Sequence, residues 1–319
     1  MTRKLAVLVP VFNGGDRLKE TVESCANAGL SGRDYAIFVL DNGSSDGAPQ
    51  RLPGSDRAGA PIEVVRNAEN LGRIGNWNRA VEIATEQGFP YACFLFVGDL
   101  WLRGTILPRI LNEMHRLGAV LAHTPLMLMR EDGKHLRISR SLTLGTAQAV
   151  VSSRSLIEES VSRGSFPLVP LQSSVFQTGE GPRLSFDSSN PSNTDNAGVL
   201  RYLTARGGSV LVVGQPFFAW RQSPTRFHSQ MDPVEEFERT LDMAFELSAE
   251  FSICLRHGDL VAAAFARYVR VWARDLRVLT KMIRVARQRG MRPGGLRLLT
   301  LLTRRVIQGR ALADVRDLP

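Results

Sequence analysis

The sequence is short of cysteine, of long apolar runs and, over residues 251–319, of acid. Its three cysteines, Cys25, Cys93 and Cys254, are odd in number and far apart. That excludes a disulfide framework or a clustered thiolate metal site, and they read as buried reduced thiols. No stretch reaches the roughly eighteen uninterrupted apolar residues of a membrane span. The best run, Tyr91 to Val97, stops at Gly98-Asp99. Arg3-Lys4 and the apolar residues up to Phe12 imitate a signal peptide. Pro10 interrupts them and no small-residue cleavage site follows, so a cytoplasmic chain that opens on a strand is expected. G-x-S-x-G, G-x-x-x-x-G-K-[ST] and dinucleotide fingerprints are missing, which removes the serine-hydrolase, P-loop and NAD classes.

What is present is length for one or two domains: 319 residues, 44% hydrophobic and 22% charged. The net charge of +9, from 40 basic and 31 acidic residues, is unevenly spread. Residues 251–319 hold fifteen Arg or Lys against four Asp, a balance of +11, which leaves −2 for residues 1–250. A nucleic-acid enzyme sets its basic groups around its chemistry. Here the excess is confined to the C-terminal segment, so no nucleic-acid partner is expected.

Strand and helix alternate from the N-terminus. Leu5 to Val9, Ala36 to Leu40, Ile62 to Val65 and Tyr91 to Val97 read as strands, with helices over Leu18 to Ala28 and Ile74 to Gln87. Continuous apolar strands separated by helices predict a mainly parallel, Rossmann-type α/β sheet covered on both faces. Ligands then bind beyond the strands' carboxyl ends, where Asn13, Asp41 and Asp99 fall. Further on, Ala119 to Met129 and Lys134 to Ser139 read as strands joined by a turn at Glu131-Asp132-Gly133. A helix near Ser153 to Arg163, a long loop from Gly179 to Asn196, a helix from Thr194 to Arg206 and a strand from Ser209 to Val213 follow. From Pro233 the pattern is helical. The domains expected are 1–230, with halves 1–118 and 119–230, and a basic helical region 231–319.

The run Val9-Pro10-Val11-Phe12-Asn13, followed by Asp41-Asn42-Gly43-Ser44-Ser45-Asp46, resembles the opening of the family 2 glycosyltransferases. Asn70-Leu71-Gly72, Asn78 and Phe94 to Leu102 continue the family's order, and the resemblance covers roughly residues 4–222. It implies a GT-A-like fold and inverting transfer of a sugar from a nucleoside-diphosphate sugar, a UDP- or dTDP-sugar first, to a glycan or lipid-linked acceptor. It also implies a divalent metal, Mn2+ or Mg2+. Pro10, Val11, Asn13, Asp41, Asn70, Gly72, Arg73, Asn78, Gly98 and Arg221 are then the substrate-binding candidates. A strand-end carboxylate such as Asp41 suits the N–H edge of a uracil, and it is equally a turn former in Asp-Asn-Gly. Asp46 stands between ligand contact and helix cap. Arg73 or Arg79 suits a diphosphate at a helix start, and Trp77, where relatives often carry Arg, suits the core or a stacking platform.

The chain departs from the family pattern after the fourth strand. Relatives read D-x-D-D or S-G-D-D there; this chain reads Val97-Gly98-Asp99-Leu100. Asp99 is the metal ligand that the resemblance leaves, with His228 a second, and an ion shared with a diphosphate needs only one or two carboxylates. Asp195, before Val199-Leu200-Arg201, matches the family's general base and is also a candidate helix cap. The alternative to an enzyme is a degenerate binder of nucleotide-sugar or glycan, which Val97 and Leu100 favour.

In the C-terminal region Arg267, Arg270, Arg274, Arg277, Lys281 and Arg284 recur at helical steps beside an apolar face from Phe265 to Ile283. One amphipathic helix is expected, either a solvated face over a helical subdomain or a peripheral contact of residues 258–289 with the inner face of the cell membrane. A homo-oligomer is a further expected partner state.

Overall fold

The computed structural model of the protein describes residues 4–104, 106–139, 148–162, 171–189, 194–223, 232–253, 257–272 and 275–290. The chain divides into two units, Met1–Arg154 with Val169–Ser223, and Ser155–Leu168 with Pro224–Pro319. It opens with β1 (Leu5–Val11), α1 (Gly15–Ser24), β2 (Tyr35–Asp41), β3 (Ile62–Arg66), α2 (Gly72–Glu86) and β4 (Tyr91–Phe94). It continues through β5 (Leu100–Trp101), α3 (Ile106–Leu117), β6 (Leu121–His123), β7 (Leu126–Met129), β8 (His135–Ser139), β9 (Gln148–Ser152) and α4 (Ser153–Ser162). Then come β10 (Ser174–Gln177), α5 (Thr194–Arg206), β11 (Ser209–Val213) and β12 (Phe218–Arg221).

The main sheet has the order β3-β2-β1-β4-β10-β6-β11-β9. Strands β3, β2, β1 and β4 pair in parallel, as their apolar runs predict. One face, with Val7, Val9, Ile37 and Cys93, packs on Leu18 and Val22 of α1 and Leu107 and Met114 of α3. On the other, Trp77 of α2 meets Phe94 and Phe186, and Phe94 stacks on Phe176. Each such side chain contributes about 1.5–3 kcal/mol on burial, so both faces are held without a disulfide.

Three expectations change. The apolar run Ala119 to Met129 is two strands: it breaks at Thr124-Pro125, leaving β6 in the main sheet and β7 in a second sheet of order β5-β12-β7-β8. Proline, without an N–H, cannot continue a ladder. The fourth strand ends at Phe94, not Val97, because the Asp99 N–H turns back to the Phe96 carbonyl. Strand β10 enters antiparallel between β4 and β6 from far along the chain, and α3 was not expected either.

The second unit contains α6 (Pro233–Glu250), α7 (His257–Trp272) and α8 (Leu276–Gln288). Its core joins Phe237 and Leu241 of α6, Phe265 of α7, and Leu279, Met282 and Val285 of α8. The single amphipathic helix expected across Arg267 to Arg284 is two, because Asp275, extended at φ −106, accepts the N–H groups of Arg277 and Val278 and starts a new helix. Arg277, Lys281, Arg284 and Arg287 are exposed on α8, opposite that core. The Arg267 and Arg270 side chains and Arg274 lie outside the described residues. No helix among the described residues is long and apolar enough to cross a membrane.

Candidate functional site

Asn13, Asp41 and the turn bearing Asp99 follow β1, β2 and β4 at one edge of the parallel strands. Asn13 sits at φ 53, a left-handed conformation that Asn tolerates better than most residues. Its N–H donates to Ser44 Oγ (2.9 Å), and its Oδ1 accepts from the Ser45 N–H (2.9 Å). Asp46 Oδ2 accepts from the Gly15 N–H (2.8 Å) and Oδ1 from the Ala48 N–H (3.0 Å). Those two N–H donors, Ala48 first, hold the Asp46 carboxyl below its ordinary range. The two opening motifs thus clasp each other, and Asp46 acts as a local cap.

Asp41 is wholly buried, with Oδ1 accepting from the Ser44 N–H (2.8 Å) and Oδ2 paired with Arg66 Nη1 (2.6 Å). Arg66 is half exposed and ends β3 opposite Asp41 in the strand register. Here a guanidinium stands where the base edge was expected. The parallel pairing of two strand ends was the signal for it, and no motif names it.

Asn70 and Gly72 belong to a chain of side-chain amides. Asn42 Nδ2 donates to Asn70 Oδ1 (2.7 Å) and to the Gly72 carbonyl (3.2 Å), while Asn42 Oδ1 accepts from the Leu71 N–H (2.9 Å). Asn67 Nδ2 donates both to Asn42 Oδ1 (3.0 Å) and to Asn76 Oδ1 (2.8 Å), and Asn76 Nδ2 donates to the Leu40 carbonyl (2.9 Å). This network ties the start of α2 to the ends of β2 and β3. Asn78 Nδ2 donates to the Phe186 carbonyl (2.9 Å) and its Oδ1 accepts the Phe186 N–H (2.8 Å). Both ends of the amide hold the 179–189 loop, which packs on Trp77 through Phe186. Trp77 is buried, as a core residue.

The turn Phe96-Val97-Gly98-Asp99 carries the departure from the family pattern. Gly98 has φ +94, which a side chain there would make costly. Thr21 fixes the turn: its Oγ1 accepts the Gly98 N–H (2.8 Å) and donates to the Asp99 carbonyl (3.0 Å). The Asp99 carboxylate is wholly buried, with Oδ1 accepting the backbone N–H of Arg221 (3.0 Å). Arg221, a substrate-binding candidate, is engaged within the protein. Its buried guanidinium donates to the Gly98 carbonyl (2.8 Å), the Glu131 carbonyl (2.9 Å) and Glu20 Oε1 (2.7 Å), and so fastens the turn to the β7–β8 hairpin and to α1. Arg17 of α1, which no motif singles out, forms an exposed ion pair with Glu131 and lies over Gly98, where a Cβ would stand 3.8 Å from its Nη1.

Among the described residues no group of three or more His, Cys, Asp or Glu is arranged to hold a metal ion. Asp99 is a single buried carboxylate whose Oδ1 accepts the Arg221 backbone N–H, and His228 lies outside the described residues. Among the described residues the site therefore offers a divalent cation one carboxylate, the fewest that an ion shared with a diphosphate takes.

The charge of Asp195 acts on Arg73. The Arg73 guanidinium lies 4.8 Å from the Trp77 ring centroid, and burial lowers its pKa while the Asp195 charge opposes that shift. Asp195 occupies the first turn of α5 and is half-buried.

Residues 6–151 match the protein-family model described as Glycosyl transferase family 2. The fold is similar to solved glycosyltransferases. S. aureus TarS 1-349 in complex with UDP-GlcNAc matches with a TM-score of 0.58 at 14% identity, covering 91% of this chain and 93% of that one. Its complex with UDP matches at 0.54 and 14%, covering 89% and 91%. The mannosyltransferase PcManGT from Pyrobaculum calidifontis, in complex with GDP-Man and Mn2+, matches at 0.50 and 12%, covering 96% and 81%. The likeness is one of fold, a GT-A fold with a helical C-terminal region. No curated protein matches the sequence.

Proposed function

We propose that this chain transfers a sugar, with inversion, from a nucleoside-diphosphate sugar to an acceptor hydroxyl. UDP- and dTDP-sugars are the first donors to try. The observation that carries the reading is the placement of Asn13, Asp41 and Asp99 after the parallel strands β1, β2 and β4, with Asp195, whose charge acts on Arg73, in the first turn of α5. Pro10, Val11 and the exposed ring of Phe12 form one wall of the nucleotide slot, and Asp41 receives the base edge when Arg66 withdraws.

Asp195 takes the proton of the acceptor hydroxyl as its oxygen forms the new bond to the anomeric carbon, and the bond to the diphosphate breaks with its electron pair going to the leaving phosphate. For the divalent cation implied by the resemblance, Asp99 is the one carboxylate offered among the described residues. The exposed Arg277, Lys281 and Arg284 of α8 support an anionic, lipid-linked acceptor or a membrane surface as a partner. The test is Asp195→Asn with a panel of sugar nucleotides. Turnover should fall at least about a hundredfold with donor affinity little changed. Loss of donor affinity in equal measure refutes the base. Parent protein that binds donor yet neither hydrolyses nor transfers it, with a broad acceptor panel, supports the binding-protein reading that the buried Asp99 favours.

A further inference from the structure

The turn after β4 has two arginine side chains beside its glycine. Where relatives carry further acids around the metal ligand, this chain has Val97 and Leu100 on either side of Gly98-Asp99. A Cβ built on Gly98 would stand 3.7 Å from Arg17 Cδ, 3.8 Å from Arg17 Nη1 and 3.9 Å from Arg221 Cδ. The space beside Gly98 is therefore bordered by two arginines. Of these, Arg221 is buried and committed to Gly98, Glu131 and Glu20. Arg17 differs: its side chain is 42% exposed, and its ion pair is to Glu131, itself 47% exposed. Exposed pairs of that kind are weak and readily exchanged. A diphosphate presents the same oxygen geometry as a carboxylate with more charge, and a guanidinium binds it in bidentate fashion.

We propose that Arg17, seated over Gly98, takes the place of the divalent cation and neutralises the donor diphosphate, with Glu131 as the latch that holds it when the site is empty. The proposal rests on the nucleotide-sugar reading above. Arg221 and Thr21 set the stage without touching phosphate: they keep the Phe96–Asp99 turn rigid, so that the side of Gly98 stays open toward Arg17. Asp99, bound to the Arg221 N–H, serves as an anchor of the turn.

The test is calorimetric titration of the whole protein with UDP, dTDP and GDP, in EDTA and in Mn2+, for the parent, Arg17→Ala and Glu131→Gln. The expected result is equal affinity for one diphosphate with and without the ion. Arg17→Ala should bind it about 10- to 100-fold more weakly, the range for one charged hydrogen-bonded contact, and should bind the matching monophosphate much as the parent does. Glu131→Gln, which releases the latch, should bind the diphosphate more tightly. Because the Arg17–Glu131 pair is exposed, thermal unfolding of both variants should stay near the parent's and so report that they are folded. Binding that appears only with Mn2+, or Arg17→Ala matching the parent in EDTA, overturns the proposal while leaving the nucleotide reading in place. No binding of any of the three diphosphates under either condition overturns both.

Discussion

Replacing Arg221 with Met separates a side chain that builds the site from one that touches a ligand. The guanidinium is 4% exposed at the residue level, and Nε and Nη1 donate to the Gly98 and Glu131 carbonyls at 2.8 and 2.9 Å. Each is a charged hydrogen bond, worth about 1.5–3 kcal/mol. The third, to Glu20, counts for about 0–1 kcal/mol, since that carboxylate reaches water. Methionine also removes the cost of keeping a guanidinium dry, several kcal/mol in such settings, which brings the net loss to about 2–4 kcal/mol. Against a typical stability of about 5–15 kcal/mol the domain should still fold, with its midpoint lowered by roughly 5–15 °C. Urea unfolding should show a lower midpoint at unchanged slope. The backbone N–H that holds Asp99 survives the substitution, so affinity for a nucleoside diphosphate should change far less than stability. A variant that melts with the parent yet loses that affinity would refute the argument and return Arg221 to the substrate.

Asn78→Ala removes both hydrogen bonds to Phe186 and should cost about 1–3 kcal/mol; proteolysis or hydrogen exchange of the 179–189 loop should quicken. Unchanged stability with lost donor affinity would contradict the loop-holding role. His123, on β6, is fully buried, and burial pushes its pKa from 6.5 down to about 3. The folded state therefore keeps it neutral, and its contribution is fully present above about pH 6.5 and lost as the pH falls toward 3, at about 1.4 kcal/mol per unit. His123→Gln should flatten the stability profile between about pH 6.5 and 5, and an unaltered slope would show that other groups set it. Reversing Arg277, Lys281 and Arg284 to Glu should abolish salt-sensitive sedimentation with anionic vesicles, with the fold kept because the α8 core contacts come from Leu279, Met282 and Val285. Sedimentation equal to the parent's would leave the stripe as a solvated face.

Features that depend on neighbours in the chain are legible in the sequence by itself. The apolar runs of β1 and β2 announce parallel strands buried on both faces, and α5 and β11 fall on the residues that periodicity and Gly207-Gly208 delimit. The Asp-Asn-Gly and Asn-x-Gly motifs mark the strand-end loops, since turn chemistry acts over three or four residues. What the tertiary structure decided concerns partners far apart in sequence. Strand β10 enters between β4 and β6 because of pairings that no local propensity encodes. Asp41 meets Arg66, Asn78 meets Phe186 and Asp99 meets the N–H of Arg221, separations of 25, 108 and 122 residues. The two arginines against Gly98 belong to the same class, one 81 residues before it and one 123 after. Val97 and Leu100 beside Gly98-Asp99 are visible in the sequence, but which charged side chains border the turn depends on what the fold brings to the same edge.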